Sequence, residues 1–318
     1  GEKVILKNTC KTVGVSVNAQ EYAGGMVGTL INGSLTNSVS ESAKVVSTAA
    51  WGTSGGMVGT AENGVTLEKC QVYWDKSLLQ GFQYVITGAN AGGLVGKITH
   101  AGTITESFAA TLIKGDIYAG GLVGSLSGVG YSVSVTKSYA DCYLNTVAVA
   151  GGEAKDWAAA GGLIGAREQE GIQLTLENVY AAGFITGRGQ VAGGLLGSPT
   201  EGDITAKNAY AAMHYDYNAT VSWGVKIYPL GAALAWGQGD NCYWWKYPSS
   251  MGIVDNNIRE ERSDYNQMSA PAFANTLGTA FQKPASSTVP YNLDGGFRTT
   301  YPIPGLKGLP HYGDWYQP

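Results

Sequence analysis

Charge is scarce in this sequence. Twenty Lys and Arg and 24 Asp and Glu make up only 14% of 318 residues, against about 25% in an ordinary domain. The formal balance of −4 is mildly acidic, which argues against nucleic acid or an anionic membrane surface as the partner. Proline is also thin, at 10 residues, so collagen-like and Gly-Pro low-complexity chains are excluded. No apolar run approaches the roughly 18 residues of a membrane-crossing helix. The opening Gly1-Glu2-Lys3-Val4 lacks the basic and apolar regions of a secretory signal. Val4-Ile5-Leu6 reads instead as mid-strand, which is the expectation for a piece of a longer chain. Cys10, Cys70, Cys142 and Cys242 lie 60, 72 and 100 residues apart with no CxxC, which removes the usual zinc and redox spacings. Buried free thiols are the expectation, because a free cysteine behaves as a small core hydrophobe. His100, His214 and His311 are isolated from one another, so neither a metal nor any other cofactor is predicted.

Glycine is the residue in excess, at 47, while hydrophobic residues at 44% and aromatics at 10% suffice for a core. The excess has a pattern. One hexapeptide recurs six times, as AGGMVG (23–28), SGGMVG (54–59), AGGLVG (91–96), AGGLVG (119–124), AGGLIG (160–165) and AGGLLG (192–197). Its paired glycines are Gly24 and Gly25, Gly55 and Gly56, Gly92 and Gly93, Gly120 and Gly121, Gly161 and Gly162, and Gly193 and Gly194. The first of each pair follows the last at 31, 37, 28, 41 and 32 residues. GAALAWG, at 231–237, reads as a degenerate seventh copy.

After each hexapeptide comes a segment with Ser, Thr or Asn and then an aromatic, such as Ile104-Thr105-Glu106-Ser107-Phe108 or Ile204-Thr205-Ala206-Lys207-Asn208-Ala209-Tyr210. These runs are short, roughly alternating and rich in β-branched or aromatic residues, so they read as strands. The only helical candidate before residue 260 is 153–160. Strands that recur at this spacing and cannot bury an apolar side alone call for stacking of equivalent units. The fold expected is therefore all-β, a parallel β-helix (β-solenoid) of about seven Gly-rich repeats over 1–250, with strands stacked about 4.8 Å apart. Within the hexapeptide, read as one strand, Gly92, Leu94 and Gly96 face one way and Gly93 and Val95 the other. A phosphate-cradling reading fails, because no helix follows the glycines.

The recurring AGGLVG followed by an Ile-Thr-x-Ser/Asn-Tyr/Phe strand resembles the GLUG motif, over roughly residues 1–245. That resemblance implies an array in a large secreted or surface-attached bacterial protein, with an adhesive, binding or spacer role beside other domains of a longer chain. It implies no catalytic residues. The HExxH of IgA-cleaving peptidases that carry such arrays is absent. Extracellular localisation, with a glycan or a host surface protein as partner, follows as an expectation of the resemblance.

From about Met251 the Gly-Gly pattern stops and prolines gather, so 251–318 reads as a small irregular C-terminal cap over the end of the repeats. It contains a short helix from Ser269 as N-cap to Leu277, with Gly278 after it.

Candidate chemistry is sparse. Gly52-Thr53-Ser54-Gly55-Gly56 matches the GxSxG elbow but lacks its strand-turn-helix setting. Parallel β-helices also carry polysaccharide lyases and glycoside hydrolases, for which Glu168, Glu170, Asp141, Glu153 and Asp203 are the candidate acids. No pair recurs in register, although a glycosidase needs two carboxyls about 5 to 9.5 Å apart. The densest aromatic region, 215–247, supplies the ligand-binding candidates Trp223, Trp236, Trp244, Trp245 and Tyr247, as a platform for sugar faces or a protein. The competing role for these rings is to seal the junction between the last repeat and the cap. Trp244 and Trp245 are adjacent, so a strand points them oppositely.

Overall fold

A computed structural model describes residues 5–6, 10–74, 85–146, 158–187, 191–197, 203–217, 226–228, 238–245, 261–262, 271–282 and 303–310. Among them the chain is all-β apart from one short helix, Pro271–Leu277. Every strand pairs in parallel except Phe281–Gln282 and Gly305–Leu306, which pair antiparallel.

Each repeat contributes strands to five ladders, and equivalent residues of successive repeats are pairing partners. The first ladder aligns Gly24, Gly55, Gly92, Gly120, Gly161 and Gly193, then Tyr228. The second, a separate five-stranded sheet, aligns Val27, Val58, Val95, Val123 and Ile164. The third aligns Leu35, Leu67, Ile104, Val135, Leu176 and Ala206, all fully buried. The fourth carries Phe108, Tyr139, Tyr180, Tyr210 and Tyr243. The fifth aligns Val17, Val45, Ile86, Ile113, Leu144, Ile185 and Tyr215. In the second, third and fifth ladders apolar residues thus stand above their equivalents in the next repeat, most of them in one large core cluster and Val17 and Val45 in a second, small one. Fixing the register in this way is what alternation demands, since a slip of one residue would turn every column outward.

The hexapeptide differs from its sequence reading, for it is a bend rather than one strand. Ile86–Gly92 ends at the first glycine of the pair and Val95–Thr99 begins three residues later in the other sheet. Each glycine has its own reason. A Cβ on Gly92 would overlap the carbonyl oxygen of Val95 as the bend closes. On Gly93 it would overlap the Gly121 carbonyl and come within 2.5 Å of the Ala109 Cβ, and on Gly96 it would stand 2.6 Å from the Gly59 oxygen. Backbone lies on backbone here, with no layer of side chains between. The bend is closed across repeats, where the amides of Leu94 and Val95 both donate to the Leu122 carbonyl, at 2.9 and 3.0 Å.

Beyond the sixth hexapeptide, Ala192 and Gly193 pair with Ile227 and Tyr228 of the strand Lys226–Tyr228, while GAALAWG, at 231–237, lies outside the described residues. Of the helical candidate at 153–160, Ala159 belongs to the strand Ala159–Gly161, and 153–157 lie outside the described residues.

A second corner separates the third and fourth ladders. Asn37, Lys69, Glu106, Lys137, Asn178, Asn208 and Asn241 all adopt positive φ, between 44° and 56°. Serine or cysteine follows at 38, 70, 107, 138 and 242. Ser107 Oγ donates to Thr105 O at 2.7 Å and receives the Cys70 amide at 3.0 Å, and Ser107 N donates to Ser138 Oγ at 3.1 Å. Cys70 and Cys242 occupy this serine position and make the same contact two residues back, to Glu68 O at 3.6 Å and Asp240 O at 3.5 Å. All four cysteines are free. Burial pushes the Cys70 thiol from 9.0 up to about 12.

The bend predicts an asymmetric glycine scan. Gly93→Ala should lower unfolding stability by about 3 kcal/mol, since neither backbone can yield. Gly239→Ala, whose methyl would meet only Cys242 at 3.6 Å, should change it by about 0.5 kcal/mol or less. Urea unfolding of both variants checks this, and equal losses would contradict it.

Candidate functional site

Of the five aromatic candidates, Trp244 alone has a described side chain. Trp244 is 6% exposed and lies in the core cluster. Its register explains why. It continues a column of inward residues, Val72, Ala109, Ala140, Ala181 and Ala211, which face the second glycine of each bend. At the end of that column a bulky ring takes the place of alanine. Trp245 ends the strand Gln238–Trp245, with its side chain outside the described residues. Trp223, Trp236 and Tyr247 also lie outside them.

The catalytic candidates are dispersed. Ser54 Oγ donates to Thr87 O at 2.7 Å and lies 2.9 Å from Ser47 Oγ, inside the sheet rather than on an elbow. His100 stands edge-on to Tyr131 at 4.5 Å and His214 beside Phe184 at 4.7 Å. Of the carboxylates, Glu168 pairs with Lys97 at 2.9 Å, Asp141 is buried, Glu170 and Asp203 are exposed, and Glu153 lies outside the described residues. Glu170 and Asp203 raise the pKa of Arg167, which burial lowers more strongly. Arg167 occupies a core position in register with Leu126 and donates to Ile172 O at 3.0 Å. Among the described residues no group of three His, Cys, Asp or Glu could hold a metal ion.

What the fold does bring together lies on the positive-φ corner. A groove of about 490 Å³ runs along it, floored by Glu106, Lys137, Glu177, Asn178, Lys207 and Asn208 and walled by Thr279, Ala280 and residues 306–309. The volume falls in the range of small-ligand sites, about 300–1,000 Å³. Lys137 and Lys69 approach Glu106 at 3.7 and 3.8 Å. These ions are substantially exposed, so each pair contributes at most about 1 kcal/mol. Further along, Asn208 Nδ2 donates to Asn178 Oδ1 at 3.1 Å, and Asn241 Nδ2 to Asn208 Oδ1 at 2.8 Å. The amide chain ends on the helix, where Asn241 also donates to Thr276 O at 2.8 Å. The sequence held a trace of this column in the recurring residue two places before each aromatic. Its far wall, from 279–280 and 306–309, had no such trace.

That wall belongs to a C-terminal segment lying over the aromatic column. Phe108, Tyr139, Tyr180 and Tyr210 stack at 5.0, 4.7 and 5.0 Å with their planes within 5°. The Tyr139 hydroxyl donates to the Pro310 carbonyl and the Tyr210 hydroxyl to that of Pro304. Phe273 and Phe281 close on Tyr210 at 5.7 and 6.0 Å. The four rings are buried and belong to the large apolar cluster, with later residues of the chain closing on Tyr139 and Tyr210.

Comparison with protein families, with curated proteins and with solved structures gives no match for this chain.

Burial drives the Tyr180 and Tyr210 hydroxyls well above their ordinary 10.0, with the charge of Asp141 adding in the same direction. The buried Cys70 thiol shifts likewise, from 9.0 to about 12. In the unfolded chain these groups release their protons first, so their contribution is fully present at neutral pH and falls away above pH 9. Alkaline titration should show tyrosinate from Tyr180 and Tyr210 only together with loss of the β-sheet circular dichroism signal. Full tyrosine ionisation with the sheet signal intact would contradict the burial.

Proposed function

We propose that the chain is a parallel β-solenoid of GLUG-like repeats that serves as a non-catalytic binding or spacer module of a bacterial surface protein outside the cell. The observation that carries this reading is the common register of all five ladders. Equivalent residues stack repeat on repeat, which gives a rod about 30 Å long for seven repeats at roughly 4.8 Å each. A rod of this kind presents outward columns at a fixed spacing, suited to repeated polar contact with an extended ligand. The corner groove, with lysines, glutamates and side-chain amides along successive repeats, fits a glycan or an extended protein segment.

A polysaccharide-degrading enzyme on the same scaffold would need convergent carboxylates. Support for the binding reading comes from the scatter of Glu168, Asp141 and Asp203 over different environments.

The test is a panel of neutral and acidic glycans offered to the intact protein and to a Lys207→Glu, Lys307→Glu variant. Binding to a subset of glycans is expected, with a loss of about tenfold or more in the variant, since a hydrogen bond to a charged group is worth about 1.5–3 kcal/mol. Release of new sugar reducing ends or of unsaturated uronates would overturn the non-catalytic reading.

A further inference from the structure

Among the described residues, the strands of the first repeat are paired along one edge and not along the other. These strands, Lys11–Val13, Ser16–Ala19, Tyr22–Gly24 and Val27–Ile31, pair with the following repeat. In the second repeat the amides of Val39, Lys44 and Thr53 donate backward, to Cys10 O, Val15 O and Glu21 O, at 2.7–2.8 Å. The equivalent amides of the first repeat, at Lys11, Ser16 and Tyr22, have no preceding carbonyl row among the described residues.

Two features mark this edge as one half of an interface already repeated through the stack. The third glycine of the hexapeptide serves the repeat before it. A Cβ at Gly59 would stand 2.5 Å from Gly28 O and 2.8 Å from Ala23 N, and one at Gly96 would stand 2.6 Å from Gly59 O. Gly124, Gly165 and Gly197 are hemmed in the same way. At Gly28 the same methyl would meet only Tyr22 O, at 3.2 Å, and Gly28 is not among the positive-φ glycines. That contact is looser than the 2.4–2.6 Å at the other third glycines, and the conformation of Gly28 does not itself require glycine. The second feature is apolar. Met26, Val27 and Val17 are half-buried, whereas Met57, Val58 and Val45, one repeat on, are fully buried.

We propose that the first repeat's other edge is an acceptor surface for one further repeat of the same chemistry. Its occupant is a strand-bend-strand segment with Gly-Gly at the bend, added in parallel register over Tyr22–Gly24 and Val27–Ile31. The inference rests on the solenoid reading and extends it, because it names what the end of the rod binds. The segment would accept hydrogen bonds from the outward-pointing amides, cover Met26 and Val27, and set its bend carbonyl against Gly28.

The test uses the full chain and the full chain lengthened at its N-terminus by a copy of residues 85–99, each with and without Gly28→Ala. Lengthening should slow hydrogen exchange of the Tyr22 amide by about tenfold or more. Gly28→Ala should leave the unfolding midpoint of the original chain nearly unchanged, and in the lengthened chain it should abolish the gained protection. No gain in protection, or a Gly28→Ala effect identical in the two chains, overturns the proposal. Gly59→Ala in the original chain separates the two levels. If it destabilises while lengthening changes nothing, only the acceptor surface is lost, and if it is harmless the stacked register itself fails.

Discussion

The constraint on which the rest of the structure depends is the contact of backbone with backbone at the Gly-Gly bend. A parallel stack needs each repeat to turn sharply into a second sheet and still leave its peptide groups free to bond the next repeat. With any side chain at Gly92, Gly93 or Gly96 the bend would collide with itself, with the next repeat or with the one before. Removing those side chains lets the amides of Leu94 and Val95 share one carbonyl across the repeats. The bend thereby sets the height of each step, and the aliphatic columns inherit their register from it.

The same geometry explains where chemistry can appear. Inward positions are filled by columns such as Leu35 to Ala206, and alanines stand opposite the bends at Gly93, Gly121 and Gly162, as Ala109, Ala140 and Ala181. Functional variety is confined to outward columns and corners. At the positive-φ corner, Lys69, Glu106 and Lys137 make a ladder of exposed charge that passes into a ladder of asparagine amides. Left-handed backbone suits asparagine and is costly for Lys and Glu, so the charged members trade a little local strain for side chains that meet across repeats. In the fourth ladder, the C-terminal segment gives the hydroxyls of Tyr139 and Tyr210 carbonyl partners.

Much of this was legible in the residues. Six near-identical hexapeptides announced stacked repeats, and parallel all-β pairing follows from their spacing. The cysteines were readable as small inward residues because Cys10, Cys70 and Cys242 adjoin the same segment where Ser107 and Ser138 stand. The bend was misread as a strand because alternation assigns faces without revealing a change of sheet, and Gly92 and Gly96 gave the pattern no side chain to break. The side on which Trp244 falls was hidden for a related reason. Alternation said that Trp244 and Trp245 diverge but not which one continues the alanine column, and that depends on a register with Ala211 set by pairing over 33 residues. The wall of the groove rests on contacts between residues 306–309 and the repeats, too distant in sequence for any periodicity to show.

Glycine in such excess ordinarily signals a pliable chain, whereas here it marks the tightest contact in the fold. Native-state hydrogen exchange at Leu94 and Val95 decides between these directly. Both amides lie beside two glycines and both donate to Leu122 O. The close-packed bend predicts that they exchange only through global unfolding, as slowly as the amides of the buried strand Ile86–Gly92. Exchange at the rate of the exposed turn around Gly130 would contradict it.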